Sequence, residues 1–244
     1  MEIDLVLFSM TPWNDKLDSL IRLLERQHEF HPDKWGITEP LRYAFSTATL
    51  DAMEEVWRQR EGLLLEKKTF PSYWLSLEWW TNARHPGRLA MGIEDKFFAN
   101  QEHIQAFLDF SEALFAWGDM VYGFAAHEHE YEEQNVLSAP TMIDGKLISV
   151  GGTDIRKCLP GVYWANFFGE KYVRWFGENL FLNAPCYKKE PLPGGGWLVL
   201  TASTPLAYER DEPRRLELAL RRHLGEEAFF DKTRPTRPCR SLKG

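Results

Sequence analysis

The segment His127-Glu128-His129-Glu130-Tyr131-Glu132-Glu133 holds the densest set of chemistry-bearing side chains in the sequence. Read as the end of a strand from Met120 to about Tyr131, it puts His127, His129 and Tyr131 on one face and Glu128, Glu130 and Glu132 on the other, because side chains alternate along a strand. Two imidazoles at i, i+2 can ligate one metal ion, which gives one reading, a metal-dependent hydrolase centred on His127 and His129. The pattern is incomplete for that role. A metallo-β-lactamase motif continues with Asp and then His, where this chain has Tyr131 and Glu132, and the helical His-Glu-x-x-His of zincins is absent. With no third ligand identifiable, no metal and no cofactor are expected, and the plainer reading is a polar strand end entering a solvated loop.

The same segment has a second use. Glu128, Glu130, Glu132 and Glu133 follow one another with no basic residue between Ala126 and Asn135. Such a strip can face a positively charged cleft on another protein, speeding encounter and setting register. These four carboxylates are the expected partner-binding residues. Nucleophilic and phosphate chemistry find no support, since the sequence has no Gly-x-Ser-x-Gly elbow, no Gly-x-x-x-x-Gly-Lys-Ser/Thr loop and no Gly-x-Gly-x-x-Gly fingerprint. No catalytic residues are expected. Cys158, Cys186 and Cys239 are odd in number and widely spaced, which points to buried free thiols, not to a disulfide framework or a zinc site.

The elements that must position this strip are those of an α+β protein. Residues 2–10 form a short β-prone stretch leading into Thr11-Pro12 as a cap and first helical residue, followed by Trp13, Leu17, Leu20, Ile21 and Leu24 on one helical stripe. A second helix is expected near residues 50–60. Alternation of Tyr73, Leu75, Leu77 and Trp79 with Trp74, Ser76, Glu78 and Trp80, then of Leu89, Met91 and Ile93 after His85-Pro86-Gly87, predicts an antiparallel hairpin. Most of this Trp set reads as core, while a sheet covered by helices on one side leaves part of it half exposed, and a fraction on an open face makes a binding surface. Asn100 caps a helix carrying Ile104, Phe107, Leu108, Ser111, Leu114 and Phe115, which Gly118 closes.

Residues 134–160, with Pro140, Asp144-Gly145, Gly151-Gly152 and Pro160, are the best internal boundary of a single domain over 1–231. Beyond it the sequence predicts an aromatic stretch (162–168), a short helix near 170–176, and two strands near 185–190 and 197–202 joined by Gly194-Gly195-Gly196. A last helix starts at Asp211-Glu212-Pro213, with Leu216, Ala219, Leu220 and His223 on one face. Each half offers a helix followed by strands, a loose parallel that admits two similar halves. The fold class is therefore α+β, antiparallel sheets flanked by amphipathic helices.

Composition bounds the function. The 244 residues are 44% apolar and 14% aromatic, enough for a sizeable core. Residues 232–244 form a basic, Pro-containing tail with five basic and no acidic residues, and removing those charges from the net −7 leaves −12 over residues 1–231. An acidic body argues against direct nucleic-acid binding, which needs a basic footprint. The acidic start Met1-Glu2-Ile3-Asp4 lacks the positive charge of an export signal, so a cytoplasmic protein is expected. The longest informative uncharged run, 158–169, is too short to span a membrane.

The stretch LPGVYWANFFGEKYV (159–173), followed by APCY (184–187) and GGWLV (195–199), resembles the immunity protein 52 group and related type VI secretion immunity proteins of polymorphic-toxin systems. The resemblance covers the C-terminal two-thirds and rests on pattern, not on a catalytic motif. It implies a cytoplasmic antitoxin, not an enzyme, that binds one cognate toxin or effector protein and blocks its active site or substrate access. Tyr163, Trp164, Phe167 and Phe168 read as a packed junction ahead of the helix.

Overall fold

The computed structural model describes residues 1–59, 62–79, 86–136, 142–143, 146–147 and 154–240. Trp80, His85, Pro140, Asp144-Gly145, Gly151-Gly152 and Lys243, all used in the sequence reading, lie outside the described residues. Helices and antiparallel strands interleave, so the fold is α+β. The chain divides into two units, Met1–Gly123 and Phe124–Gly244.

In the first unit, a two-residue apolar period builds a sheet with one buried face. Its strands are β1 (Glu2–Ser9), β2 (Lys34–Gly36), β3 (Tyr43–Ala44), β4 (Gly62–Lys67), β5 (Tyr73–Glu78) and β6 (Gly87–Glu94), in spatial order β3-β2-β4-β5-β6-β1. The expected hairpin is present, with Tyr73 opposite Ile93 and Glu78 opposite Arg88. β2, β3 and β4 were not anticipated from the sequence.

Helices α1 (Leu17–Arg26), α2 (Leu50–Gln59) and α3 (Gln101–Trp117) complete this unit. α1 begins at Leu17, later than Pro12, because Trp13 is an anchor outside the helix. Its indole donates to Gly118 O at 3.0 Å, and its carbonyl accepts from Lys16 N and from the Trp57 indole. α3 is capped as its sequence demands, with the Asn100 side chain accepting from Glu102 N at 2.9 Å and Gly118 at the C-cap. Trp57 of α2 stacks on Trp79 at 3.9 Å between ring centroids, a contact worth about 1 kcal/mol beyond its area burial.

The division between the units falls inside β7 (Met120–His127). The second unit continues with α4 (Glu128–Asn135), the short antiparallel pair β8 (Met142–Ile143) and β9 (Lys146–Leu147), and β10 (Ala165–Phe168). Then follow α5 (Glu170–Phe176), α6 (Glu178–Leu182), β11 (Lys188–Leu192), β12 (Gly196–Leu200) and α7 (Asp211–Leu224). β10, β12 and β11 lie side by side and antiparallel. The glycine run does make the β11–β12 turn, Gly194 and Gly195 taking φ of 82° and 85° that other residues resist. Residues 162–168 are the expected packed junction, Tyr163, Phe167 and Phe168 being wholly buried. Its irregular backbone is satisfied by Asn166, whose side chain accepts from Tyr163 N and donates to the carbonyls of Tyr163 and Val199.

The cysteine reading is corrected. Cys158 and Cys239, 81 residues apart in sequence, form a disulfide with Cα atoms 5.4 Å apart, and Cys186 alone is free and only partly buried. The disulfide ties the basic tail down. Next to it, Arg240 N donates to Glu227 O at 2.7 Å and the Arg240 guanidinium lies 4.9 Å from the Trp175 ring.

Candidate partner-binding site

The strand ends at His127, four residues earlier than the alternation suggests, and the acidic strip is the helix α4. Its start is a reciprocal cap. His127 Nδ1 accepts from His129 N at 3.2 Å, while Glu130 Oε2 accepts from His127 N at 3.2 Å. This is the capping box with histidine in the place of Ser or Thr and Glu at N3. The helical period then separates the four carboxylates. Glu128, Glu132 and Glu133 are exposed, and Glu130 turns inward with 3% of its surface accessible.

Glu130 is held from a second direction. Its Oε1 accepts from Trp164 N at 2.9 Å, so both carboxylate oxygens are bound to buried backbone N–H groups. From α7, the half-buried Glu217 hydrogen-bonds to it, carboxyl to carboxyl. Burial, with the charge of Glu217 second, holds the Glu130 carboxyl well above the ordinary carboxylate range. Burial also pushes Glu217 up to about 8, against the opposing pull of Arg214. The pair therefore carries a proton at neutral pH and braces α4 against α7. Glu217 Oε1 is buried without a hydrogen-bond partner among the described residues.

Above the pair is a cavity of about 210 Å³, lined among others by Glu133, Val162, Tyr208, Arg214 and Leu218. Arg214 Nη2 reaches both oxygens of Glu133, at 3.0 and 3.3 Å, on the rim. The Tyr208 ring stacks on His127 at 4.3 Å, and its hydroxyl lies 3.3 Å from His129 Nδ1. This arrangement leaves the hydrolase alternative without its strand geometry. His127 is a helix cap whose Nδ1 is engaged by a backbone N–H, and His129 is exposed on the first turn. Among the described residues no group of three or more His, Cys, Asp or Glu could hold a metal ion.

Sequence reasoning missed Glu217 and Arg214. A usable signal was present, because Pro213, Glu217, Leu220 and Leu224 recur at i, i+4, i+7 and i+11, which places Glu217 on the buried stripe of α7.

Fold and site together define an α+β protein that displays a carboxylate-rich helix held rigid from beneath. No protein-family model matches the chain, and no curated protein sequence matches it. Among solved structures, the fold is similar to that of the Pseudomonas aeruginosa T6SS protein PA0821, with a TM-score of 0.60 and 14% identity over 91% of this chain and 72% of that one. At this identity the likeness is one of fold. Among the described residues no helix is long and apolar enough to cross a membrane.

Proposed function

We propose that this chain is a T6SS-associated immunity protein, an antitoxin that binds a cognate effector and blocks its active site or substrate access. The observation that carries the reading is the exposed strip of Glu128, Glu132 and Glu133 on a rigidly braced helix, in a fold shared with a T6SS protein. On this reading the chain acts by stoichiometric binding and not by catalysis. Its partner is a protein, with no direct role for nucleic acid or membrane. Co-expression with the toxin domain encoded beside it tests this. A stable 1:1 complex and rescued growth are expected, and failure of both overturns the reading.

Within that complex, replacing Glu128, Glu132 and Glu133 together by lysine is expected to slow association by about tenfold at low salt and to flatten its salt dependence. Stopped-flow association measured across salt concentrations checks this, and an unchanged rate removes the strip from the interface.

We place the protein in the cytoplasm, where the thiol pool would keep Cys158 and Cys239 reduced. Alkylation of acid-quenched cells, read by mass spectrometry, is expected to label both cysteines. Recovery of the disulfide from such cells would instead assign the protein, and its toxin's target, to an oxidising compartment.

A further inference from the structure

The Cys158–Cys239 bond joins a firmly held residue to a loosely held one. Cys158 N donates to Asp154 O at 3.1 Å, and the next residue, Leu159, is bridged to Phe229, with Leu159 N donating to Ala228 O and Phe230 N to Leu159 O. Cys239 lies in a segment, 232–240, that has no helix or strand and in which every residue is exposed except the partly buried Arg237 and Cys239. The backbone of this segment closes mainly on itself, in turns from Arg234 N to Asp231 O and from Arg237 N to Arg234 O. Apart from the disulfide, it is held at its far end. Arg240 N donates to Glu227 O, the Arg240 guanidinium lies over Trp175 and 3.8 Å from the Glu227 carboxylate, and Cys239 Sγ is 3.6 Å from Phe229 O. A solvent-exposed ion pair and a single hydrogen bond hold a segment weakly. One neighbour opposes the closed arrangement. Burial lowers the Arg221 guanidinium of α7 from its ordinary value and the charge of Arg237 lowers it further, against Asp231 and Glu226, so the segment brings two cations together.

We propose that the Cys158–Cys239 pair is a redox-sensitive strap: as a disulfide it holds residues 232–240 against α5 and the turn at 226–228, and as two thiols it releases that segment and uncovers Trp175 while the rest of the unit stays folded. Both cysteines are only partly buried, so a small thiol can reach the bond. A glutathione thiolate attacks one sulfur, the S–S bond breaks, and the other cysteine leaves as a thiolate that takes up a proton. A second glutathione thiolate then attacks the mixed disulfide, which frees the second cysteine and forms glutathione disulfide. The protein gains two electrons and two protons, and glutathione disulfide reverses the exchange. Because hydrogen bonds and the Leu159–Phe229 bridge fix Cys158, with Cα atoms 5.4 Å apart when the segment is docked, closure needs movement of the tail alone. In the compartment proposed above the strap is open, and oxidation closes it. The device belongs to the second unit's own tail and does not depend on the immunity reading.

The test uses the whole ¹⁵N-labelled protein carrying Cys186→Ser, which removes the third thiol from exchange, equilibrated in glutathione buffers from oxidised to reduced. Mass spectrometry of alkylated samples gives the thiol–disulfide ratio, and parallel samples are read by amide hydrogen exchange. Reduction is expected to speed exchange at the Arg240 N–H by about tenfold or more, while the Leu159 and Phe230 amides keep their protection. Adding glutathione disulfide is expected to restore the slow exchange at Arg240. Cys239→Ser, a change in the tail alone, is expected to show the fast exchange in every buffer. A disulfide that the native protein keeps in excess reduced glutathione overturns the proposal. So does an Arg240 amide that stays protected in the reduced protein or in Cys239→Ser, or a loss of Leu159 and Phe230 protection on reduction, which would make the bond a structural clasp. None of these measurements involves a toxin, so the immunity reading stands or falls separately.

Discussion

Replacing Glu130 by alanine is expected to lower the unfolding free energy by about 4 kcal/mol. The substitution strands two buried donors at once, the backbone N–H groups of His127 and Trp164, and each such orphan costs about 1–3 kcal/mol. It also removes half of the cap that starts α4, worth about 1 kcal/mol. Glu132→Ala, on the exposed side of the same helix, is expected to stay within about 0.5 kcal/mol of the parent. Urea denaturation of the two variants measures the contrast. Equal stability for both would mean that the inward carboxyl is no brace.

The same residue shows where sequence reasoning stops. Elements with local signals were legible. Asn100 announces α3, the alternation of residues 73–78 against 87–94 announces a hairpin, and Asp211-Glu212-Pro213 opens α7. α4 has no apolar stripe, and the alternation His-Glu-His-Glu imitates a strand. What makes it a helix is a cap in which histidine does the work of serine, together with a backbone donor at Trp164 that arrives 34 residues later. The Cys158–Cys239 bond was illegible for a related reason, since a separation of 81 residues carries no spacing signal. Of the four expected contact residues, the helical period leaves three at the surface and spends Glu130 on positioning them. The Trp set was half legible: the two-residue period put part of it at a half-exposed face without saying which member, and the structure exposes Trp74 at 39% while burying Trp79, with Gly92 and Glu2 fixing the Trp74 ring.

A second large effect concerns pH. Glu217 has its folded-state pKa raised from 4.5 to about 8, and Glu130 is raised as well, both chiefly by burial. Between those two values the unfolded chain has released a proton that the folded chain still holds. The stabilisation is therefore fully present below about pH 4.5 and is lost as pH rises through 8. One proton over that window corresponds to roughly 5 kcal/mol at most, of which the fall from pH 5 to pH 9 samples the larger part, about 4 kcal/mol. Asp231 does not mask the trend. Its carboxyl is lowered to about 2, first by the Thr233 hydroxyl and, after an opposing contribution from burial, by Arg234, so its contribution changes only below about pH 4. Glu217→Gln places a permanent hydrogen-bond donor beside Glu130 and removes the need for the shared proton. That variant is expected to lose the part of the slope that Glu217 carries, keeping the part due to burial of Glu130, and so to fall less than the parent between pH 5 and pH 9. Unfolding curves for both proteins at pH 5, 7 and 9 decide the matter. A parent curve that is flat across this range, or a variant that keeps the full slope, would show that the brace between α4 and α7 holds no proton.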